Sequence, residues 1–397
     1  MTNLTLETYR QQFPALANKA YFNYGGQGPL PQLSLDAIYQ SYEQVQQKGP
    51  FSGKAGSWVT EESAQMRDCM ARELGVSAET ITLTENVTVG CNIALWGIDW
   101  QPGDHLLLSD CEHPGIIAII QELQRRFQIE VSVCPLRETL NQGDPVSVIE
   151  THLQPNTRLL VISHILWNTG QVLPLGEIVK CCHSQSQGKV RVLVDAAQSV
   201  GVLPLNLTAL EVDFYAFTGH KWWCGPEGSG GFYLSPDALT TLSPSYVGWR
   251  SIQYDKTGTP VNWKPDARRY EVATSAYPLY AGLRRSITLH HEWGTTEERY
   301  QQICHLSQYL WQRLSELSDV HCLRTAPPEA GLVSFQLTNG LVHQAVVESL
   351  EKQNICVRTI LNPDCIRACI HYFTEKSEID RLVIAIATLN SSPTGLI

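Results

Sequence analysis

Two short polar stretches lying close together in the chain carry its most reactive side chains, Asp195-Ala-Ala-Gln198 and Thr218-Gly-His-Lys221. Each follows a largely apolar run, residues 190–194 and 212–217. An apolar, β-rich run that ends in a polar residue reads as a buried strand whose carboxyl end opens into a site. One strand end offers a carboxylate and the other a lysine. Lys221 is flanked by Trp222 and Trp223, so partial desolvation should lower its pKa. Such an amine suits Schiff-base chemistry. A carboxylate beside it suits the pyridinium nitrogen of pyridoxal 5′-phosphate (PLP).

The supporting elements alternate between helix and strand. A short helix over residues 5–13 precedes Tyr21-Phe-Asn, a strand stub that runs into a glycine-rich turn containing Gly25 and Gly26. Residues 51–58 read as a loop able to cover a site, and Thr60 caps a helix ending near Leu74-Gly75. The strand 81–84 is followed by Glu85-Asn-Val-Thr-Val-Gly90, which opens an amphipathic helix through Trp96. A strand, a polar turn and a helix start together make an anion site, because free N–H groups and the helix dipole face the ligand. A strand over 106–108 ends in Asp110-Cys-Glu-His113-Pro-Gly. Helix 115–127, strand 129–134, helix 145–152 and strand 158–163 imply a parallel sheet with right-handed crossovers. Another strand covers 232–234, residues 248–268 read as irregular, and a helix from Tyr277 to His291 leads into helix 296–317, strand 331–337, helix 342–353 and strand 355–358. Arg358 and Arg367 lie in this last part, and an arginine fork matches the two oxygens of an α-carboxylate.

The totals narrow the class. At 397 residues the chain can build one large and one small domain, each with its own core. A net charge of −10 argues against nucleic acid as a partner. No apolar run is long enough for a membrane span. The opening residues Met1-Thr-Asn-Leu-Thr-Leu-Glu7 have neither a basic start nor an apolar signal region, which points to the cytoplasm. There the twelve cysteines should stay reduced. Cys91, Cys134 and Cys356 sit in apolar surroundings and read as packing residues. Neither Cys181-Cys182 nor Cys365-x3-Cys369 has a zinc spacing, and no metal site is expected. Walker A and G-x-G-x-x-G nucleotide motifs are both missing.

The pairing of Asp-Ala-Ala-Gln with Gly-His-Lys, between Tyr21-Phe-Asn and Arg367-Ala-Cys, resembles the class V, fold type I PLP enzymes, the NifS-like cysteine desulfurase group. Within that group the chain looks most like the cyanobacterial cystine C–S lyases. The resemblance implies an α/β fold type I PLP-dependent transferase. Its large domain (15–275) would hold a mainly parallel seven-stranded sheet, and residues 1–14 and 276–397 would form a small α+β domain. It implies that Lys221 holds PLP and removes the substrate α-proton. His113 would stack on the ring and take part in proton transfer, Asp195 would pair with the ring nitrogen, and Gln198 would donate to the phenolic oxygen. Thr88 (hydroxyl and N–H), Val89 (N–H), Thr218 and His220 would hold the phosphate. Arg269-Tyr-Glu-Val-Ala-Thr274 resembles a family motif whose threonine reaches the neighbouring subunit's phosphate, implying a homodimer with shared sites. Gly25 and Gly26 would lie near the substrate. Arg367 would clamp its α-carboxylate, and Arg358 a distal carboxylate. Trp167 stands where desulfurases carry an asparagine that contacts the ring oxygen, with Asn168 one further on, so that contact stays open between the two. His164 reads as structural.

The reaction turns on a thiol. Desulfurases carry their nucleophilic cysteine between the two arginines, at a place held here by Pro363, while Cys365 lies only two residues before Arg367. The expectation is therefore β-elimination from L-cystine or L-cysteine. The products would be pyruvate, ammonia and cysteine persulfide or sulfide, and the persulfide could supply an iron–sulfur apoprotein. A desulfurase forming alanine through Cys365, an epimerase of the same fold, and a PLP-binding protein without turnover remain alternatives.

Overall fold

The computed structural model describes residues 6–184 and 190–391. Residues 1–5, which head the expected N-terminal helix, and 392–397, which end the expected small domain, lie outside the described residues. The apolar runs assemble into one seven-stranded sheet in the order Ile81–Thr84, Gly230–Leu234, Phe214–Thr218, Arg191–Asp195, Thr157–Ser163, His105–Ser109, Glu130–Cys134. Gly230–Leu234 runs against both its neighbours, and the other pairings are parallel. Side chains alternate across each strand. Leu160, Ile162, Val192 and Val194 therefore face Met66, Met70, Leu74, Leu283 and Ile287 on one side. On the other side Leu159, Val161 and Leu193 face Leu95, Ile116, Ile120 and Leu123. Helices thus cover both faces, as a parallel sheet requires.

A second, antiparallel sheet has the order Val320–Cys322, Leu332–Leu337, Asp364–Cys369, Arg358–Leu361. The helices Thr296–Ser315, His343–Lys352 and Lys376–Ser391 accompany it. Ala20–Tyr21 pairs in parallel with Ile355–Cys356, and Ala20 and Phe22 join this sheet's core, although the domain division expected from the sequence assigns them to the larger part.

Two local readings change, and one helix gave no reading at all. The helix expected from Thr60 begins at Gly53, where Ser52 Oγ accepts the Ala55 N–H at 3.1 Å, so most of 51–58 is helix rather than loop. Gly53 and Gly56 are poor helix formers and mask it. Residues 248–268 contain the hairpin Ile252–Tyr254 with Pro260–Trp263. Gln32–Lys48 is a long helix with no side-chain cap, which left no start signal to read.

Candidate active site

Strand register gathers the chemistry at one edge of the large sheet. Ser163 pairs with Asp195 and Asp195 with Ala216, two residues before Thr218. A cavity of about 600 Å³ opens there. Its wall holds every candidate residue except Thr218 and Thr274. Gly25, Gly26, Thr88, Val89 and His113 line it with Asp195, Gln198, His220, Lys221, Arg358 and Arg367.

Burial lowers the Lys221 amine to about 8; Asp195 opposes this, while Arg367 and Arg358 add to it. Asp195 is 5% exposed. Burial raises its carboxyl, against the pull of the Ala197 N–H at 2.9 Å and of Lys221 and His113. Burial also lowers His113, whose Nδ1 accepts the Gly115 N–H at 3.1 Å. The ring is thus neutral with its proton on Nε2.

Arg367 is 1% exposed. Its Nη1 donates to the Trp167 carbonyl at 2.6 Å, its Nε has no partner, and among the described residues no carboxylate pairs with it. Arg358 stands directly opposite on the next strand. Like charges facing each other across strands are destabilising, and a buried charge needs a counter-ion. Among the described residues the buried charge of Arg367 is therefore left without a counter-ion.

The donor set fits PLP. Asn86 Oδ1 caps the helix Val87–Gly97 by accepting the Val89 N–H at 3.0 Å. This leaves the Val87 and Thr88 N–H groups as first-turn donors for a phosphate. A recessed amine and a buried carboxylate share the same cavity. Two candidates stand elsewhere. Thr218 Oγ1 bonds His220 Nδ1 at 2.5 Å and so reaches the cavity only through that ring. Thr274 lines a separate cavity of about 390 Å³ with Thr84, Tyr246, Arg250 and Tyr280. Val89 lines both cavities, but its N–H is the one taken by Asn86.

Packing separates Trp167 from Asn168. Trp167 lines the cavity with its ring edge-on to His113 at 5.5 Å. Asn168 turns away and donates to the Asn362 carbonyl at 3.0 Å. His164 is buried against Tyr215, its Nδ1 2.8 Å from the hydroxyl, and burial takes it down to about 4.

Sequence reasoning missed Glu112. Its carboxyl accepts from Ser109 Oγ at 2.5 Å and from the Ser163 N–H and Oγ at 2.9 Å. Burial, with the charge of Asp195 adding, pushes it up to about 8. The Glu-His dipeptide was visible, but the register that sets Ser163 beside Asp195 was not.

The family description "Aminotransferase class-V" matches residues 20–382. The chain belongs to that family. The resemblance read from the sequence is borne out, and so is its α/β fold. A solved structure of C-DES, a lysine-to-alanine variant with glycine covalently linked to the PLP cofactor, is 54% identical with a TM-score of 0.94, covering 95% of this chain and 98% of that one. A second, the complex of the cystine C–S lyase C-DES with its reaction product cysteine persulfide, is 54% identical with a TM-score of 0.93, covering 95% and 99%. The isopenicillin N epimerase of Streptomyces clavuligerus is 28% identical over 92% of this chain and 94% of its own. The cysteine desulfurase of Haloferax volcanii is 26% identical over 92% and 88%.

Proposed function

We propose that this class-V protein is a PLP-dependent C–S lyase. It cleaves L-cystine by β-elimination, with water, to pyruvate, ammonia and cysteine persulfide, and L-cysteine to pyruvate, ammonia and sulfide. Likeness to C-DES over 95% of the chain supports this reading. The observation that carries it against a desulfurase is the cavity wall, which among the described residues is lined by no thiol. Cys365 is 0% exposed, and burial pushes its thiol up to about 12. Such a thiol is a poor nucleophile.

PLP, when bound, supplies an electron sink for the pair left at the substrate α-carbon. Lys221 would hold it covalently, and the lowered pKa of its amine would suit it to take up the α-proton at Nζ near neutral pH. Asp195 holds a proton on the ring nitrogen. Thr88 and His220, the latter oriented by Thr218, bind the phosphate. Arg367 takes the α-carboxylate by a fork of charge-assisted bonds, and Arg358 takes the distal carboxylate of cystine. His113 would stack on the ring and could move a proton through Nε2, since its Nδ1 accepts the Gly115 N–H. Gly25 allows the close approach of its turn, since a Cβ there would lie 2.8 Å from Cys369 Sγ and 3.0 Å from Arg367 Nη2.

The protein is a homodimer in which Thr274 serves the partner's phosphate site. It works in the cytoplasm, where its persulfide feeds an iron–sulfur apoprotein. Cys134, Cys182, Cys365 and Cys369 carry free thiols, which suits a reducing compartment. Among the described residues no helix is long and apolar enough to cross a membrane.

Product analysis tests the reaction. Wild type and Cys365→Ala, loaded with PLP, receive L-cystine or L-cysteine. Pyruvate and persulfide, undiminished in the variant, are expected. Alanine that vanishes in the variant would replace this reading with a desulfurase.

A further inference from the structure

We propose that Trp222 is a positioning residue that fixes which way the Gln198 amide faces. The two ends of an amide are alike in shape but opposite in hydrogen bonding. Here each end meets a partner that works in one direction only. The Trp222 indole N–H, a donor, lies 2.9 Å from Gln198 Oε1. The Gly25 carbonyl, an acceptor, lies 2.9 Å from Gln198 Nε2. Reversing the amide would set donor against donor and acceptor against acceptor. Trp222 is 1% and Gln198 4% exposed, so water cannot repair the mismatch.

The indole is itself held. Its ring packs against both Tyr24 and His371, with centroids 6.1 and 6.0 Å away and planes inclined by 24° and 20°, and those two rings touch each other at 4.8 Å. The Trp222 carbonyl accepts from His371 Nε2 at 3.0 Å. One amide N–H of Gln198 is spent on Gly25, and Gln198 lines the cavity. The lock therefore offers the cavity a donor and not an acceptor. Trp222 also follows Lys221 directly, so one buried segment sets both the amine and, through Gln198, the donor.

This inference rests on the reading that the cavity binds PLP. Gln198 then donates to the ionised ring oxygen. That oxygen, deprived of a donor, holds the neighbouring proton more tightly, and the pH midpoint of the bound cofactor's absorbance change rises. Trp222→Phe keeps the aromatic ring and removes the N–H, while Gln198→Met removes the amide. In PLP-loaded protein each should raise the midpoint by about half to one pH unit. The double variant should rise no further than either single one, because both remove the same interaction. A midpoint raised by Gln198→Met and unmoved by Trp222→Phe overturns the proposal. If Trp222→Phe does not fold, the indole N–H resonance of Trp222 in unloaded protein decides. It should move in Gln198→Met, and an unmoved resonance overturns the proposal. Wild type that takes up no PLP would overturn the cofactor reading instead, and the same resonance would still judge the orientation of Gln198.

Discussion

Arg358 and Arg367 face each other on adjacent strands, with no carboxylate paired to Arg367 among the described residues, an arrangement that costs stability. Around them Lys221, Asp195 and His113 are shifted by burial first and by neighbours second. Lys221 shows the consequence most directly. Only its neutral form attacks an aldehyde, and burial, with Asp195 opposing, brings the amine to about 8 from 10.5. PLP uptake by unloaded enzyme should therefore quicken as pH rises and level off above about 8. At pH 7 the rate should be roughly 300-fold above that of an unshifted lysine. Stopped-flow absorbance over a pH series measures it, and a plateau reached only in the ordinary lysine range would contradict the burial argument. Asp195→Asn removes the charge that favours ammonium, so its plateau should begin at lower pH.

Helix starts are the elements that matter most to the site. Val87–Gly97 presents its first turn to the cavity because Asn86 both ends the strand side and accepts the Val89 N–H. Asn86→Ala should cost about 1 kcal/mol, the usual worth of such a cap. Urea unfolding of the unloaded protein checks this, and a loss below about 0.3 kcal/mol would mean that the cap contributes nothing. The helix Pro114–Phe127 begins at His113 in the same way, so the residue that faces PLP on the proposed reading is also the one that turns the chain into the helix.

Across the whole molecule, Glu73 ties the two parts together. It ends the helix Gly53–Leu74 and accepts from Arg299 at 2.9 Å, from His291, and from the Trp223 indole at 3.0 Å. Burial pushes its carboxyl up, but His291 and Arg299 outweigh this and hold it at about 2. Its folded pKa lies below the unfolded value. The stability it contributes is therefore full above roughly pH 4.5 and is lost as the pH falls toward 2. Glu73→Gln leaves Arg299, 3% exposed, without a counter-charge. The expected loss is about 3 kcal/mol at pH 7. Unfolding curves at pH 7, 5 and 3 should show the gap between variant and wild type closing as the pH falls, and a constant gap would refute the ion-pair account.

The groups of the site were legible one at a time, because each sits where an apolar run stops or a helix starts, and such signals are local. Asp195 and Lys221 could be named that way, the two arginines by the fit of their forks to a carboxylate, and His113 and Thr88 through the family resemblance. What each group faces was not local. Glu112 matters through a strand register, and Asn168 yields to Trp167 because its amide finds the Asn362 carbonyl. Gln198 meets Gly25 across 173 residues of chain. Glycines hid the helix start at Gly53, and Thr274, whose motif had linked it to a neighbouring subunit's phosphate, lines a cavity of its own. The sequence by itself determined the chemistry available and the alternating architecture, since residue type and periodicity are properties of the chain. Only the tertiary structure decided orientation, charge state and thiol burial, because these depend on hydrogen-bond direction and desolvation, which exist only once distant segments have packed.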